Sequence, residues 1–436
     1  MTQKEEGRNF SYNYEFIGQR FIANLDFSQQ YLQIYHARLN GLRSRTLENA
    51  AHENKIKPLE NLMDLKQHKK AVIYGTIARY HKAKPSTIQK YLSVVGSIES
   101  RPSDFGNYWS ENDELWLEDM SGRLLLNFTN CQDDWLNLVT GVQIGLFGII
   151  EHTGTFSVEK LYFPQIEKPI QLKGRGEEYI CFVSGLEMGS LGYDHILLNL
   201  FSQYIMGNLG QESLEDSRKI IRLVILGDSI YKHDEARMID RKAIGDASLR
   251  GAAELANSIR FLDTFLSELA GVVPVDLIPG DMDPSNSSLP QQPINPHLLP
   301  SSSRYSALHS YPNPYEFMID NCRVLCTSGQ NISVLSQFTN PNLSFTDLMA
   351  LTLKFRHLAP IAPDALACIP MQDYDPFIID SFPHLYVVGN LGSYRTSTYE
   401  GVKIISIPRF SAPSHNIVLV NRFNLESKIV SFDSMI

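Results

Sequence analysis

The sequence predicts a mixed α/β multidomain chain: a helical N-terminal segment, a small β-barrel, and a larger layered α/β region. Three observations carry this. Apolar residues recur at helical spacing before residue 69, and in short strand-length runs from 70 to 168. From 175 to 436 the strand and helix patterns alternate. A length of 436 residues accommodates two or three such domains.

In the first segment, 1–69, Phe27, Tyr31, Ile34, Tyr35, Arg38 and Leu42 form an apolar stripe with aromatic members. A second, polar helix is expected over Thr46 to Asn54. A segment this short and this poor in large apolar groups builds little core alone. It is therefore expected to pack on its own protein's body and not to stand out as an arm.

The second segment, 70–168, reads as five strands. Ala71-Val-Ile-Tyr-Gly-Thr-Ile alternates in part, and Glu114-Leu-Trp-Leu-Glu-Asp alternates cleanly. Arg123-Leu-Leu-Leu-Asn-Phe follows the Ser121-Gly122 turn, which predicts a hairpin. Gly141 to Ile150 and Phe156 to Phe163 complete the set, and five short strands in this span suggest a Greek-key barrel of the OB type. A long loop, near Lys82 to Asn112, separates the first two strands.

In the third segment, 175–436, strands are expected at Tyr179 to Val183, Ile220 to Asp228, Val272 to Asp281, Arg323 to Cys326, Leu385 to Gly389 and Lys403 to Ile407. Ala252, Leu255, Ala256, Ile259, Leu262, Leu266 and Leu269 line one face of a long helix ending at Gly271, and Phe345 to Leu358 is another helix. Pro284 to Ser303 has the composition of a loop or flexible excursion.

Composition narrows the functional classes. Thirty-nine basic against forty-eight acidic residues leave a net charge of −9, which excludes a polybasic nucleic-acid binder. The five cysteines (131, 181, 322, 326 and 368) contain no CxxC pair, so neither a zinc ribbon nor an iron–sulfur loop is expected. Cys322 and Cys326 flank an apolar strand and read as buried free thiols. A reducing compartment fits an odd count without a disulfide framework. The polar N-terminus has no signal-peptide core, and runs such as Val142 to Ile150 fall far short of the ~20 residues that cross a bilayer. A soluble intracellular protein is expected, with no membrane partner.

Basic residues at Lys66, His68, Lys69 and Lys70, and at Arg79, His81, Lys82 and Lys84, border the first barrel strand. They could track a single strand of nucleic acid, but solvated strand ends fit the net charge better. Trp116 points opposite to Leu115 and Leu117, either as an outer contact against another domain or as a stacking platform; the outer contact is favoured. His357 is read as a helix-end histidine satisfying carbonyls. His384 and His415 have no acidic or cysteine neighbours at ligand spacing, and no G-x-S-x-G elbow, Walker loop or complete dinucleotide fingerprint occurs.

Carboxylates stand where apolar strands end, at Gly227-Asp228 and Gly280-Asp281-Met282-Asp283. In an α/β layer such positions can hold divalent cations, although an Asp after a strand also serves simply to cap a loop. The order of these blocks resembles the calcineurin-like metallophosphoesterases, which use D-x-H, G-D, G-N-H-D/E, a lone His and G-H-x-H. Here Gly185 and Glu187 take the first block, and Asp228 keeps the second. Asp281, Met282 and Asp283 occupy the third, and Cys326 to Gly329 offer no histidine for the fourth. Asn390 and Gly392 replace both imidazoles of the fifth. Every imidazole ligand is missing, and two metals need more than carboxylates. The resemblance therefore implies an inactive site, with no metal, cofactor or catalytic residue, at vestigial positions Gly185, Glu187, Asp228, Asp281, Asp283, Asn390 and Gly392.

An OB barrel ahead of such a domain resembles the non-catalytic second subunits, the B-type subunits, of eukaryotic replicative DNA polymerases. Within them it is most similar to the small regulatory subunits of DNA polymerase delta. The residues behind this run from Phe27-Ser-Gln-Gln-Tyr-Leu-Gln-Ile-Tyr-His-Ala-Arg-Leu and Asp113-Glu-Leu-Trp-Leu-Glu-Asp, through Leu138-Val-Thr-Gly and Val183-Ser-Gly-Leu. They continue with Val273-Pro-Val-Asp-Leu-Ile-Pro-Gly, Asp283-Pro284, Leu289-Pro-Gln-Gln-Pro and Thr327-Ser-Gly-Gln-Asn, to Arg356-His-Leu-Ala-Pro-Ile-Ala-Pro-Asp. Asp281 departs from the family, which often carries Glu there. The resemblance implies a nuclear, non-catalytic scaffold for DNA replication and repair synthesis. It would join the cysteine-rich C-terminal tail of the catalytic subunit to the third, clamp-binding subunit, with sliding clamp and DNA reached indirectly. The alternative is a metal-dependent phosphodiesterase with an atypical site on Asp228, Asp281 and Asp283.

Overall fold

The computed structural model describes residues 2–7, 10–24, 26, 28–84, 106–131, 135–165, 167–190, 193–231, 246–411, 413 and 415–433. Phe27 and most of the expected 82–112 loop lie outside these. The chain forms two compact units, one of Met1–Asn24, Lys168–Gln330 and Pro383–Ile436, the other of Leu25–Glu167 and Asn331–Phe382. The division groups residues differently from the expected segments: 1–24 join the layered region, and 25–69 and 331–382 join the barrel.

The first difference is at the N-terminus, which is not helical. β1 (Thr2–Gly7) and β2 (Phe10–Phe16) form an antiparallel hairpin. Residues 10–16 read F-S-Y-N-Y-E-F, an aromatic–polar alternation of period two that suits a strand; helical spacing begins only downstream of it.

In the second unit α1 (Leu32–Asn54) is one continuous helix where two were expected. Nothing between Leu42 and Thr46 breaks it; the Thr46 hydroxyl donates back to the Leu42 carbonyl at 2.8 Å, as a mid-helix threonine can. Five strands follow: β3 (Lys70–Tyr80), β4 (Glu114–Glu118), β5 (Arg123–Asn127), β6 (Gln143–Ile150) and β7 (Phe156–Tyr162). They close a barrel in the order β3-β4-β5-β7-β6, with β4 and β5 paired as the expected hairpin. At Gly148 the β6–β7 register shifts, and a Cβ there would lie 2.0 Å from the Ser157 carbonyl oxygen, so glycine permits the bulge.

Residues 331–382 belong to this same unit because a buried ionic cluster ties them to α1. The Arg38 Nε donates to Asp375 Oδ2 at 2.7 Å, and its Nη1 and Nη2 to the Pro360 and Ala362 carbonyls, both at 2.8 Å. Arg38 thus sits in an apolar stripe because every part of its charge is partnered. His357 does not cap helix carbonyls as expected: its Nε2–H donates to Asp375 at 2.8 Å while its Nδ1 accepts the Ala359 N–H. Burial first, and then the Arg38 charge, push it down to about 4, so it is neutral.

The first unit is a two-sheet sandwich. Its strands continue as β8 (Tyr179–Val183), β9 (Ile220–Leu226), β10 (Val275–Ile278), β11 (Leu308–Ser310), β12 (Tyr315–Ile319) and β13 (Cys322–Thr327). Then come β14 (Leu385–Leu391), β15 (Arg395–Tyr399), β16 (Val402–Pro408), β17 (Asn416–Asn421) and β18 (Ser427–Ser431). One sheet is ordered β1-β2-β12-β13-β14-β16-β15, the other β11-β10-β9-β8-β17-β18. Strand alternation divides the core. Ile180, Phe182, Val224, Leu226, Val418 and Val420 pack with Val324, Val387 and Ile405 of the other sheet. Cys181, Val183, Leu223, Ile225 and Leu419 face the other way, against the helical layer.

That layer is built from α2 (His195–Met206), α3 (Gln211–Lys219) and α4 (Asp246–Ala270). The Asp194 side chain caps α2 by accepting the Ile196 N–H at 2.7 Å, and Gly207 ends it at φ +80°. α4 stops one residue before Gly271, as expected. The stretch 284–303 is not a free excursion. It contains two short 3-10 turns, and the Asp263 carboxylate accepts the Ser301 and Ser302 amides.

A buried polar cluster explains why the N-terminal hairpin belongs to this unit. Arg222 bonds Asp276 at 2.5 Å, and Asp276 accepts the Tyr315 hydroxyl at 2.6 Å. Tyr14 of β2 places its ring 3.7 Å from the Arg222 guanidinium carbon and shares a 2.8 Å hydrogen bond with Tyr315. The arginine is fully buried, so its charge needs the carboxylate and the aromatic face together.

Candidate functional site at the strand ends

β8, β9 and β10 are mutually parallel, as are β13, β14 and β16. The loops that follow these strands carry the positions singled out from the sequence. Gly185 and Glu187 follow β8, Asp228 follows β9, Asp281 and Asp283 follow β10, and Asn390 and Gly392 stand at the end of β14. Tight backbone turns bring several of them together. Gly185 N–H donates to the Gly227 carbonyl at 2.9 Å and Glu187 N–H to the Asp228 carbonyl at 3.0 Å. Glu187, Asp228 and Asn390 all adopt positive φ. A Cβ on Gly280 would lie 2.3 Å from the Asp228 amide nitrogen, so only glycine lets these two loops touch.

Two of the carboxylates, Asp283 and Asp228, are committed to this backbone, while Asp281 is exposed. Asp283 is buried, and its Oδ1 accepts the Ser229 and Ile230 amides at 2.9 and 3.2 Å while Oδ2 accepts the Gly280 amide at 2.8 Å. Burial and the neighbouring Asp228 carboxylate push it up to about 7, against the pull of those three donors. Asp228 Oδ1 accepts the Met282 amide at 3.1 Å, and Oδ2 faces the Arg409 Nη2 at 3.5 Å. Burial raises Asp228 as well, with its backbone donor and Arg409 opposing. Glu187 has Arg409 Nε at 3.4 Å and accepts the Ser411 hydroxyl.

Asn390 uses its side-chain N–H groups on the Leu226 and Ser328 carbonyls, at 3.0 and 2.9 Å. Its Oδ1 is buried without a hydrogen-bond partner. Gly185 has no side-chain ligand, and Gly392 lies exposed beyond the cluster. Among the described residues no group of three or more His, Cys, Asp or Glu side chains is placed to hold a metal ion. The donor set does not fit a binuclear centre. Carboxylate oxygens that already accept amide protons or face a guanidinium are poor ligands, and no imidazole stands at any of these positions.

Two further participants were not singled out as site residues, although Ser184 lies within the Val183-Ser-Gly-Leu segment. Arg409 follows β16 directly after Pro408, in no recognisable motif. Ser184 accepts the Asn390 amide and donates to the Pro408 carbonyl, both at 3.0 Å. Ser184 adjoins Gly185 in the sequence, whereas only sheet pairing brings Arg409 to the site.

The other candidates differ in their surroundings. Arg79 is buried: its Nε donates to Asp113 at 3.0 Å and its Nη groups to the Ser110, Leu136 and Leu138 carbonyls. His81 shares Asp113 at 3.0 Å and is shifted down, mainly by burial. Lys66, His68, Lys69, Lys70, Lys82 and Lys84 are exposed, with Lys70 paired to Glu159 at 2.7 Å. Half-buried Trp116 carries Arg123 over its ring at 5.1 Å. His384 accepts the Arg323 amide at 3.0 Å and stands 2.8 Å from the Ile170 carbonyl. His415 does have an acidic neighbour, Asp433 at 2.6 Å, too distant in sequence to show as a spacing. All five cysteines are free, and burial pushes the Cys322 and Cys368 thiols up to about 12.

Two family models match this chain. One is the DNA polymerase delta subunit OB-fold domain, over residues 30–161; the other describes the B-type subunit of DNA polymerases alpha and epsilon, over residues 180–396. The first begins just before α1, in keeping with α1 and the barrel forming one unit. The chain is 35% identical to the DNA polymerase delta small subunit of Arabidopsis thaliana, across 97% of this chain and 96% of that one. It is 34% identical to the rice protein of the same name, across 100% and 99%. Against that of Saccharomyces cerevisiae it is 29% identical, across 94% and 90%. At these identities over full length, the chain belongs to the DNA polymerase delta small subunit family.

Proposed function

We propose that this chain, an accessory subunit of the DNA polymerase delta complex, is its non-catalytic nuclear scaffold. It holds the cysteine-rich C-terminal tail of the catalytic subunit on one surface and the third, clamp-binding subunit on another, and reaches clamp and DNA through them. The observation that supports a binding role over a catalytic one is the spent state of the strand-end carboxylates. Asp283 accepts three backbone amides, and Asp228 is divided between an amide and Arg409. Such oxygens staple loops together; they do not activate a water. With no CxxC pair of its own, the chain leaves a cysteine-bound centre to its partner.

The test is co-expression of the full chain with the cysteine-rich tail of a delta-type catalytic subunit, followed by size-exclusion chromatography. A stable one-to-one complex is expected. Two separate, folded peaks would remove the main support. Mn²⁺-dependent turnover of a chromogenic phosphodiester that Asp228→Asn abolishes would favour the enzyme reading instead. Truncating residues 1–45 would not isolate an arm, because β2 is an interior strand of the seven-stranded sheet.

A further inference from the structure

We infer that Arg409 is the built-in counter-cation of the strand-end carboxylates, and that its side chain stands where a cation and a first-block aspartate would otherwise have to fit. Two independent contacts define it. Its guanidinium lies 3.4 Å from Glu187 Oε1 and 3.5 Å from Asp228 Oδ2, bridging the carboxylates that follow β8 and β9. Its stem fills the neighbouring volume. A Cβ placed on Gly185 would lie 2.7 Å from Arg409 Cβ, 2.6 Å from its Cγ and 2.8 Å from Asn390 Oδ1.

Gly185 has φ +61°, a backbone conformation that an aspartate adopts only with strain. Gly185 and Arg409 therefore form a matched pair: a side chain at 185 collides with the arginine stem, and loss of the arginine leaves two carboxylates facing each other without a counter-charge. A metal would serve the same electrostatic purpose, but it needs free oxygens, and here one oxygen of Asp228 is already given to an amide. The arginine meets the same need without a ligand sphere. Its side chain is 45% exposed, so it stands on the solvent side of the carboxylates.

The inference is independent of which proteins this chain binds, so partner capture is not its readout. Thermal unfolding of the full chain is measured for Arg409→Met, Arg409→Lys, Asp228→Asn and the double variants, each with and without millimolar Mn²⁺. Arg409→Met is expected to lower Tm by several degrees, Arg409→Lys by less. In the Asp228→Asn background the same change should lose most of its effect, because the charge it balances is gone. The unsubstituted chain should not respond to Mn²⁺. An Arg409→Met penalty of the same size in both backgrounds would overturn the charge role and reduce Arg409 to packing. A Tm rise of the unsubstituted chain in Mn²⁺ would show that the carboxylates are not compensated. If Arg409→Met does not fold, the Arg409→Lys and Asp228→Asn pair decides the same question.

Discussion

Acidification should loosen the second unit, and His357 supplies a part of the effect that can be isolated. Its folded-state value is held near 4, chiefly by burial and then by Arg38, against 6.5 for an ordinary imidazole. A group depressed on folding lends stability that is fully present above its unfolded value and is lost as pH falls towards its folded value. The window is therefore pH 6.5 down to about 4. At about 1.36 kcal/mol per pKa unit, the whole window is worth at most about 3–4 kcal/mol, and about 2 kcal/mol of it is gone by pH 5. Asp375, held low against its burial by His357 and Arg38, acts only at lower pH and does not obscure this range. Urea unfolding of the full chain and of His357→Gln between pH 7 and 4.5 measures the effect. Glutamine keeps an N–H for Asp375 but cannot take up a proton. The stability gap between the two proteins should narrow by about 2 kcal/mol or more over that range. Parallel curves, or an NMR titration placing His357 near 6.5, would refute the argument.

Other consequences concern packing and buried charge. Arg222→Met strands Asp276 in the inter-sheet core and should cost about 3–5 kcal/mol. Arg222→Met with Asp276→Leu should recover a large part of it, as chemical denaturation would show. Gly141→Ala should be severe, about 3 kcal/mol or more. The new Cβ would lie 1.9 Å from the Pro360 carbonyl oxygen at φ +91°, whereas Gly106→Ala, with nothing within 4 Å, is the control expected to leave Tm unchanged.

Local pattern was enough for the barrel. Leu115 and Leu117 alternate inward in β4, the Ser121-Gly122 turn sets the hairpin, and four of the five strands lie within a residue or two of where their patterns placed them, while β3 runs three residues beyond Ile77. It was enough for α4 and for the strand-end carboxylates too, because apolar runs and the glycines that end them are local properties. It was misleading in 1–24, where a short aromatic–polar strand pattern stands next to a longer and stronger helical one. It also did not show that 331–382 group with the barrel, since the Arg38–Asp375 pair links residues 337 positions apart and no spacing displays it.

The chain's sequence by itself determined the order of the barrel strands, the loss of every imidazole at the strand ends, and membership of a polymerase-subunit family. These depend on residue identity and short-range periodicity. Tertiary structure alone decided what the remaining charges do. Arg38, Arg79 and Arg222 are buried because distant carboxylates, carbonyls and rings satisfy them, and Arg409 reaches Glu187 and Asp228 only after two sheets have formed. A buried charge is tolerated only where its partners converge on it, and that convergence is a property of the packed fold.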